Sequence, residues 1–160
     1  LGQSLNMDID SITKGMLAAG MIGVFISERA TFAAEVGGCQ VECGAGSCMA
    51  AAGITQMLNG SVTQCVDAAS MALQNLTGLA CDPVAGRVEV PCLGKNILGG
   101  TNAISSANMA LAGYDKVIPL DETIDAMYDV GLKLPCELRC TFGGLGKSKT
   151  SLEIKRNLNS

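Results

Sequence analysis

Histidine is missing from this chain altogether, and so is tryptophan. Without imidazole there is no Cys/His zinc site, no histidine-dependent triad and no imidazole general base. Aromatic residues amount to only 3%, although hydrophobic residues make up 48%. Apolar bulk must therefore come from Ala, Leu, Ile, Val and Met. Such side chains suit helices packed closely through small residues, with the 20 glycines at contacts and turns. Strands draw on more β-branched and aromatic residues than are present. The 160 residues are enough for one domain with a buried core, and the expected fold is all-α and compact.

Positive charge is scarce as well. Eleven Lys and Arg face fifteen Asp and Glu, a formal net charge of -4, and no arginine-rich patch is visible. A nucleic-acid groove needs clustered positive charge to neutralise phosphates, so that partner class is not expected. The longest apolar run, residues 15–26 (GMLAAGMIGVFI), is short for a bilayer span and threaded with glycine. It reads as a buried helix, with no membrane partner. The opening LGQSLNMDID carries no basic segment of the signal-peptide kind, and a cytoplasmic setting is expected.

Cysteine is what the chain has in quantity: eight residues. An exported protein would use them for disulfides, whereas a cytoplasmic one uses them for metal or as small buried hydrophobes.

The helical pattern divides the chain without an internal linker. A helix is expected over residues 11–29 with Ser11 as N-cap, a second over 47–58, and a third capped by Ser61 and running to about Asn75. Residues 78–95 (GLACDPVAGRVEVPCLGK) break the pattern with Pro and Gly, suggesting a loop or short hairpin. Helices resume around 96–112 and, capped by Asp121, around 122–133. The polar, basic segment 147–160 is expected to be a mobile tail following a domain of residues 1–146.

Three cysteines sit outside the helical pattern. Cys39 lies in a Gly-rich GGCQ turn, Cys81 opens Cys81-Asp82-Pro83, and Cys92 follows Pro91. Loops of this kind can aim several sulfurs at one point and leave backbone N–H groups free to bond them, as an iron–sulfur cluster requires. Cys43, Cys48 and Cys65 lie in Ala- and Gly-rich helical surroundings, and Cys136 and Cys140 flank Glu137-Leu138-Arg139. By composition and placement alone, a metal site and buried structural cysteines stand side by side. Zinc with four thiolates fits the same count.

Four stretches carry a resemblance. They are Glu35-Val36-Gly37-Gly38-Cys39-Gln40-Val41-Glu42 with Gly44 and Met49-Ala50-Ala51-Ala52-Gly53; Leu79-Ala80-Cys81-Asp82-Pro83-Val84-Ala85-Gly86; Val90-Pro91-Cys92 with Asn96; and Met127-Tyr128 with Arg139 and Gly143-Gly144-Leu145. Across roughly residues 15–146 the chain resembles the alpha, or catalytic, part of the iron–sulfur L-serine dehydratases. The resemblance implies an oxygen-sensitive [4Fe–4S] cluster held by Cys39, Cys81 and Cys92, with the fourth iron open to L-serine. An open iron is a Lewis acid toward the serine hydroxyl. A base removes the α-proton, water is lost, and the enamine hydrolyses to pyruvate and ammonia.

Further roles follow from the same likeness. Asp82 and Asn96 are candidates to orient ligands or substrate, with helix capping as their bland alternative. Arg139 is a candidate for the substrate carboxylate, since its fork matches one; an ordinary surface arginine is the alternative. Glu35 and Glu42 read as solvated or structural. Two departures stand out: Gly94-Lys95 where a Glu-Arg pair is expected after the third ligand, and Cys140 where glutamate is expected after Arg139. The tail ends Leu158-Asn159-Ser160 without the terminal cysteine that can cap the open iron, leaving Cys136 and Cys140 as remote substitutes.

The family's alpha part is expected to begin earlier than Leu1, and a beta subunit is the expected partner, with a homo-oligomer also open. The isolated chain is expected to have little activity, its catalytic base lying elsewhere. The rival readings are a non-catalytic metal-binding or structural helical domain, and a related dehydratase or desulfidase for threonine or cysteine. A P-loop ending at Gly146-Lys147-Ser148 fails because residue 141 is Thr, not Gly. No lysine motif supports a pyridoxal-phosphate enzyme.

Overall fold

A computed structural model describes residues 1–158 and contains seven α-helices and no sheet among them. The all-α expectation holds. Helix α1 (Ile9–Arg29) starts at Asp8, whose carboxylate accepts the Ser11 N–H at 2.9 Å and the Ser11 hydroxyl at 2.8 Å. The cap is thus Asp8 rather than Ser11, which lies in the first turn. After the short α2 (Ala34–Gly37) and a turn of 3-10 helix over Cys39–Val41 comes α3 (Cys43–Met57). It begins four residues before the expected start because Gly44 and Gly46, read as loop signals, are tolerated inside it.

Helix α3 is the centre of the molecule. Its neighbours are α1, α4 (Val62–Leu76) and α5 (Cys92–Leu111). A helix covered on three sides must be apolar and small all round, which is what CGAGSCMAAAG provides. A close approach of backbones is made between Gly15 of α1 and Gly53 of α3. A Cβ on Gly53 would lie 2.8 Å from the Gly15 carbonyl oxygen, so the two backbones meet only because neither residue has one.

Ser61 caps α4 as expected, in a reciprocal capping box with Gln64. Helix α6 (Leu120–Lys133) packs on α4, but Pro119 holds its N-cap position without a side-chain bond. Asp121, expected as the cap, lies in the first turn, where its charge suits the helix dipole.

The main core joins Ile22 and Ile26 of α1, Cys48 of α3, Leu73 of α4, and Ile124 and Met127 of α6. Each fully buried large side chain here is worth about 1.5–3 kcal/mol. A second core, between α3, α4 and α5, is largely alanine: Ala51, Ala68, Ala72, Ala103 and Ala107. Across it Asn102 of α5 donates to the Ser47 hydroxyl at 2.9 Å and the Ala72 carbonyl at 2.8 Å, locking the three helices together.

Three further expectations need correction. Helix α1 is buried on one face only, through Gly15, Ile22, Gly23 and Ile26; Met16, Leu17, Met21, Val24 and Phe25 are exposed. At 21 residues it is also long and apolar enough to cross a membrane, by length and composition alone. Cys92 is not inside the loop but opens α5, and the loop ends at Pro91. Its only hairpin-like feature among the described residues is an isolated antiparallel bridge between Val84 and Arg87. Residues Lys149–Leu158 form an amphipathic helix, α7, anchored by buried Ser151, whose hydroxyl accepts the Ala85 N–H at 2.8 Å. Residues 159 and 160, the end of the expected tail, lie outside the described residues.

Candidate metal centre

Three segments bring one cysteine each to the same place. The sulfurs of Cys39, Cys81 and Cys92 all lie within 4.8 Å of one another, and all three residues are buried. Cys39, which is fully inaccessible, opens the 3-10 turn after Gly38. Gly38 sits at φ 77°, and a Cβ there would meet Leu134 at 2.8 Å and the Leu79 carbonyl oxygen at 3.1 Å. Only glycine passes the chain through that gap.

The Cys81 segment is held from both sides by backbone. The Cys81 N–H donates to Leu138 O at 2.8 Å, and Cys81 O accepts the Cys140 N–H at 3.0 Å. Cys92 is the first residue of α5, and no side chain caps that helix start.

Buried Gln40, which the sequence reading quoted but gave no role, fastens the first two segments. Its backbone N–H donates to Leu79 O at 2.9 Å, its side-chain oxygen accepts the Gly78 N–H at 2.7 Å, and its amide donates to Gly37 O at 2.9 Å. A polar residue beside Cys39 in a segment buried on all sides was the available signal.

Lys95 fastens the second and third segments. Its ammonium donates to the Ala80 carbonyl and to Asp82 Oδ1, both at 2.6 Å. Asp82 also accepts the Leu145 N–H at 3.0 Å through Oδ2. Asp82 is therefore a tie between the Cys81 loop, α5 and the closing segment, where Leu145 lies in the first turn of the 3-10 helix Gly144–Lys147.

A cavity of about 690 Å³ adjoins the sulfurs. Cys43, Cys81, Cys92, Asn96, Glu42 and Cys140 are on its wall. Of the three remaining sequence candidates, only Asn96 reaches this cavity; its amide also donates to Cys92 O at 3.0 Å. Arg139 is not on the wall. Its guanidinium donates to Val36 O at 3.1 Å, and its buried Nε has no partner among the described residues. Cys43, left without a role by the sequence, and Cys140, a remote substitute there for the capping cysteine, pack around the three-cysteine group, whereas Cys48 and Cys65 belong to the main core. Cys136 is exposed, and all eight cysteines are free.

Burial dominates the electrostatics. It pushes the Cys39 thiol far above the ordinary range, with the neighbouring Cys81 adding to the effect. Cys81 is pushed up to about 12, again by burial first, against which its hydrogen bond with Cys39 works. Burial and then the charge of Glu35 raise the Glu42 carboxyl. Burial works against the Lys95 ammonium, but the Asp82 hydrogen bond and the charges of Cys39, Asp82 and Cys81 outweigh it, and its pKa is raised. Buried thiols near one cation, with no competing disulfide, are a donor set for a soft metal or an iron–sulfur cluster.

The chain is similar to known proteins over nearly its whole length. The family model described as serine dehydratase alpha chain matches residues 1–145. The L-serine dehydratase alpha chain of Peptoniphilus asaccharolyticus is 46% identical over 156 residues, covering 97% of this chain and 53% of that protein. The probable L-serine dehydratase alpha chain of Bacillus subtilis is 42% identical, covering 98% and 52%. Its counterpart from Latilactobacillus sakei is also 42% identical, covering 98% of this chain and 75% of that protein. The chain spans about half the length of the first two relatives. With a family match over nearly its whole length and relatives of this identity, the chain belongs to the serine dehydratase alpha chain family.

Proposed function

We propose that this chain carries the metal centre of an L-serine dehydratase, in which Cys39, Cys81 and Cys92 hold a [4Fe–4S] cluster and L-serine is deaminated to pyruvate and ammonia. What supports this most is the convergence of three buried sulfurs within 4.8 Å, two of them, from Cys81 and Cys92, on residues that line a 690 Å³ cavity. The donors fit the cofactor, being soft, shielded and free of disulfide. When bound, the cluster supplies a Lewis-acidic iron with a free position for the substrate hydroxyl.

The chain's own residues do the rest of the local work. Three thiolates from three segments leave one cluster position without a protein ligand. Burial of Cys39 and Cys81 keeps bulk water from the sulfurs. Asn96 offers an amide on the cavity wall, and Glu42 keeps its proton to higher pH than an exposed glutamate does. Asp82 and Arg139 serve the framework, the first through Lys95 and Leu145, the second through Val36. The base that takes the α-proton is assigned to a beta subunit that closes over the cavity, and turnover requires that partner. A reducing cytoplasm suits the free thiols.

The sulfur spacing supports a second reading. Three sulfurs this close can share a single ion, and thiolates suit zinc. Anaerobic loading with iron and sulfide, followed by absorbance near 400 nm and serine turnover with and without the beta subunit, separates the two. A brown protein that turns over serine only with its partner supports the dehydratase. A colourless protein retaining zinc favours the structural metal site.

A further inference from the structure

We propose that Lys95 is the positioning residue of the three-thiolate site, holding two ligand segments together and placing a partly buried ammonium near their sulfurs. This rests on the reading that Cys39, Cys81 and Cys92 bind a soft metal as thiolates.

The geometry is specific. Lys95 lies three residues after Cys92, in the first turn of α5. Its single nitrogen reaches the residue before Cys81 and the residue after it: Ala80 through its carbonyl, Asp82 through its carboxylate. One side chain thereby brackets the second ligand and pins it to the helix that carries the third. Both Lys95 and Asp82 have side chains only 14% exposed. An ion pair this shielded is not the near-neutral surface pair, and breaking it from one side leaves a charge without its partner.

The charge has a second use. Three thiolates gathered in a buried pocket repel one another, and burial raises the cost of each. Lys95 is close enough to Cys39 and Cys81 for their charges to act on its ammonium, and close enough to Cys43 for its own charge to act there. A cation at this point offsets the negative charge that builds up when a metal displaces the thiol protons. Asp82 keeps the ammonium in place, and Leu145 in turn keeps Asp82 in place.

The test uses cobalt(II) alone, titrated anaerobically into the reduced chain and read by its thiolate-to-metal absorption. Cobalt reports the sulfurs whether the native metal is iron or zinc, so Lys95 is judged apart from the identity of the cofactor. Residues that orient metal ligands are worth about 10–100-fold in affinity, and Lys95→Met is expected to weaken cobalt binding by about that factor. Lys95→Arg, which keeps the charge and can reach both acceptors, is expected to recover most of the loss. The double variant Lys95→Met/Asp82→Asn removes the orphaned carboxylate and is expected to stay weak, while Asp82→Asn alone loses less because the ammonium remains. Circular-dichroism melting checks that each variant is folded.

Cobalt affinity unchanged in Lys95→Met overturns the proposal. So does a double variant restored to wild-type affinity, or an Asp82→Asn loss as large as that of Lys95→Met. In iron-loaded protein, Lys95→Met is expected to lower the cluster midpoint potential and Lys95→Arg to leave it near wild type; equal potentials in all three overturn the electrostatic role. A wild-type chain that takes up iron but whose potential and cobalt affinity ignore Lys95 leaves the cluster reading standing and removes only Lys95. A wild-type chain that binds neither metal removes the site and Lys95 with it.

Discussion

The side-chain oxygen of Gln40 accepts the backbone N–H of Gly78 at 2.7 Å, and the same fully buried side chain donates to Gly37 at 2.9 Å. One residue next to Cys39 thus ties the first cysteine segment to the chain that leads into Cys81. Gln40→Ala leaves the buried Gly37 carbonyl without its partner, at a cost of about 1–3 kcal/mol, and frees the more accessible Gly78 N–H. Urea unfolding is expected to register a loss within or above that range, with weakened metal retention. Unchanged stability would show that water replaces both bonds.

Glycines in the same helices are expected to respond with opposite sign. In Gly53→Ala the new Cβ meets the Gly15 carbonyl oxygen at 2.8 Å and Ala19 at 3.3 Å. Both contacts belong to a helix that cannot move away independently, and overpacking of this kind costs about 1–3 kcal/mol. That exceeds the gain of about 1 kcal/mol from replacing a mid-helix glycine. Gly46 and Gly100 have nothing within 4 Å of their Cβ positions. Gly46→Ala and Gly100→Ala are therefore expected to raise the melting temperature, while Gly53→Ala lowers it.

The metal-free chain is expected to lose stability at high pH. Burial raises the thiol pKa of Cys39 and Cys81 above the ordinary value of 9.0, that of Cys81 to about 12. A folded-state pKa above the unfolded one means that the folded form holds the proton longer. The stability it confers is present below pH 9 and is lost as pH climbs toward 12. Melting temperatures of the metal-free chain between pH 7 and 10.5 are expected to be level at first and then fall. The metal-loaded chain, whose thiols are already deprotonated, is expected to lack that fall.

Cys48→Ser separates structural from ligand cysteines. Cys48 is fully buried in the main core, and only burial acts on its thiol. Its replacement buries a hydroxyl among apolar neighbours at a cost of about 1–3 kcal/mol. Metal content is expected to be unchanged. Cys39→Ser is expected to show the reverse emphasis, with metal lost whatever the melting temperature does.

What could be read from the sequence depended on whether the cause was local. Ser61 and Gln64 form a capping box within four residues, so the start of α4 was visible. The start of α5 was not: Pro91 and Gly94 read as loop, so the helix was expected from residue 96, whereas it opens at Cys92. For α3 the propensity of its glycines pointed to loop, and enclosure by three helices outweighed that preference. The grouping of Cys39, Cys81 and Cys92 followed from a resemblance, since no spacing rule reaches across 42 residues. The ties that hold the group were hidden for the same reason. Lys95 and Asp82 are 13 apart in sequence, and Arg139 reaches Val36 across 103. Arg139 looked suited to a carboxylate by chemistry alone, and only the fold places it away from the cavity wall.

The most direct measurement is iron and sulfide content after anaerobic reconstitution of wild type, Cys39→Ser, Cys81→Ser, Cys92→Ser and Cys48→Ser, with absorbance near 400 nm. Four irons per chain in wild type and Cys48→Ser, and loss in each of the other three variants, is the expected result. A colourless wild type, or iron that survives removal of any one of the three cysteines, contradicts a cluster held by Cys39, Cys81 and Cys92.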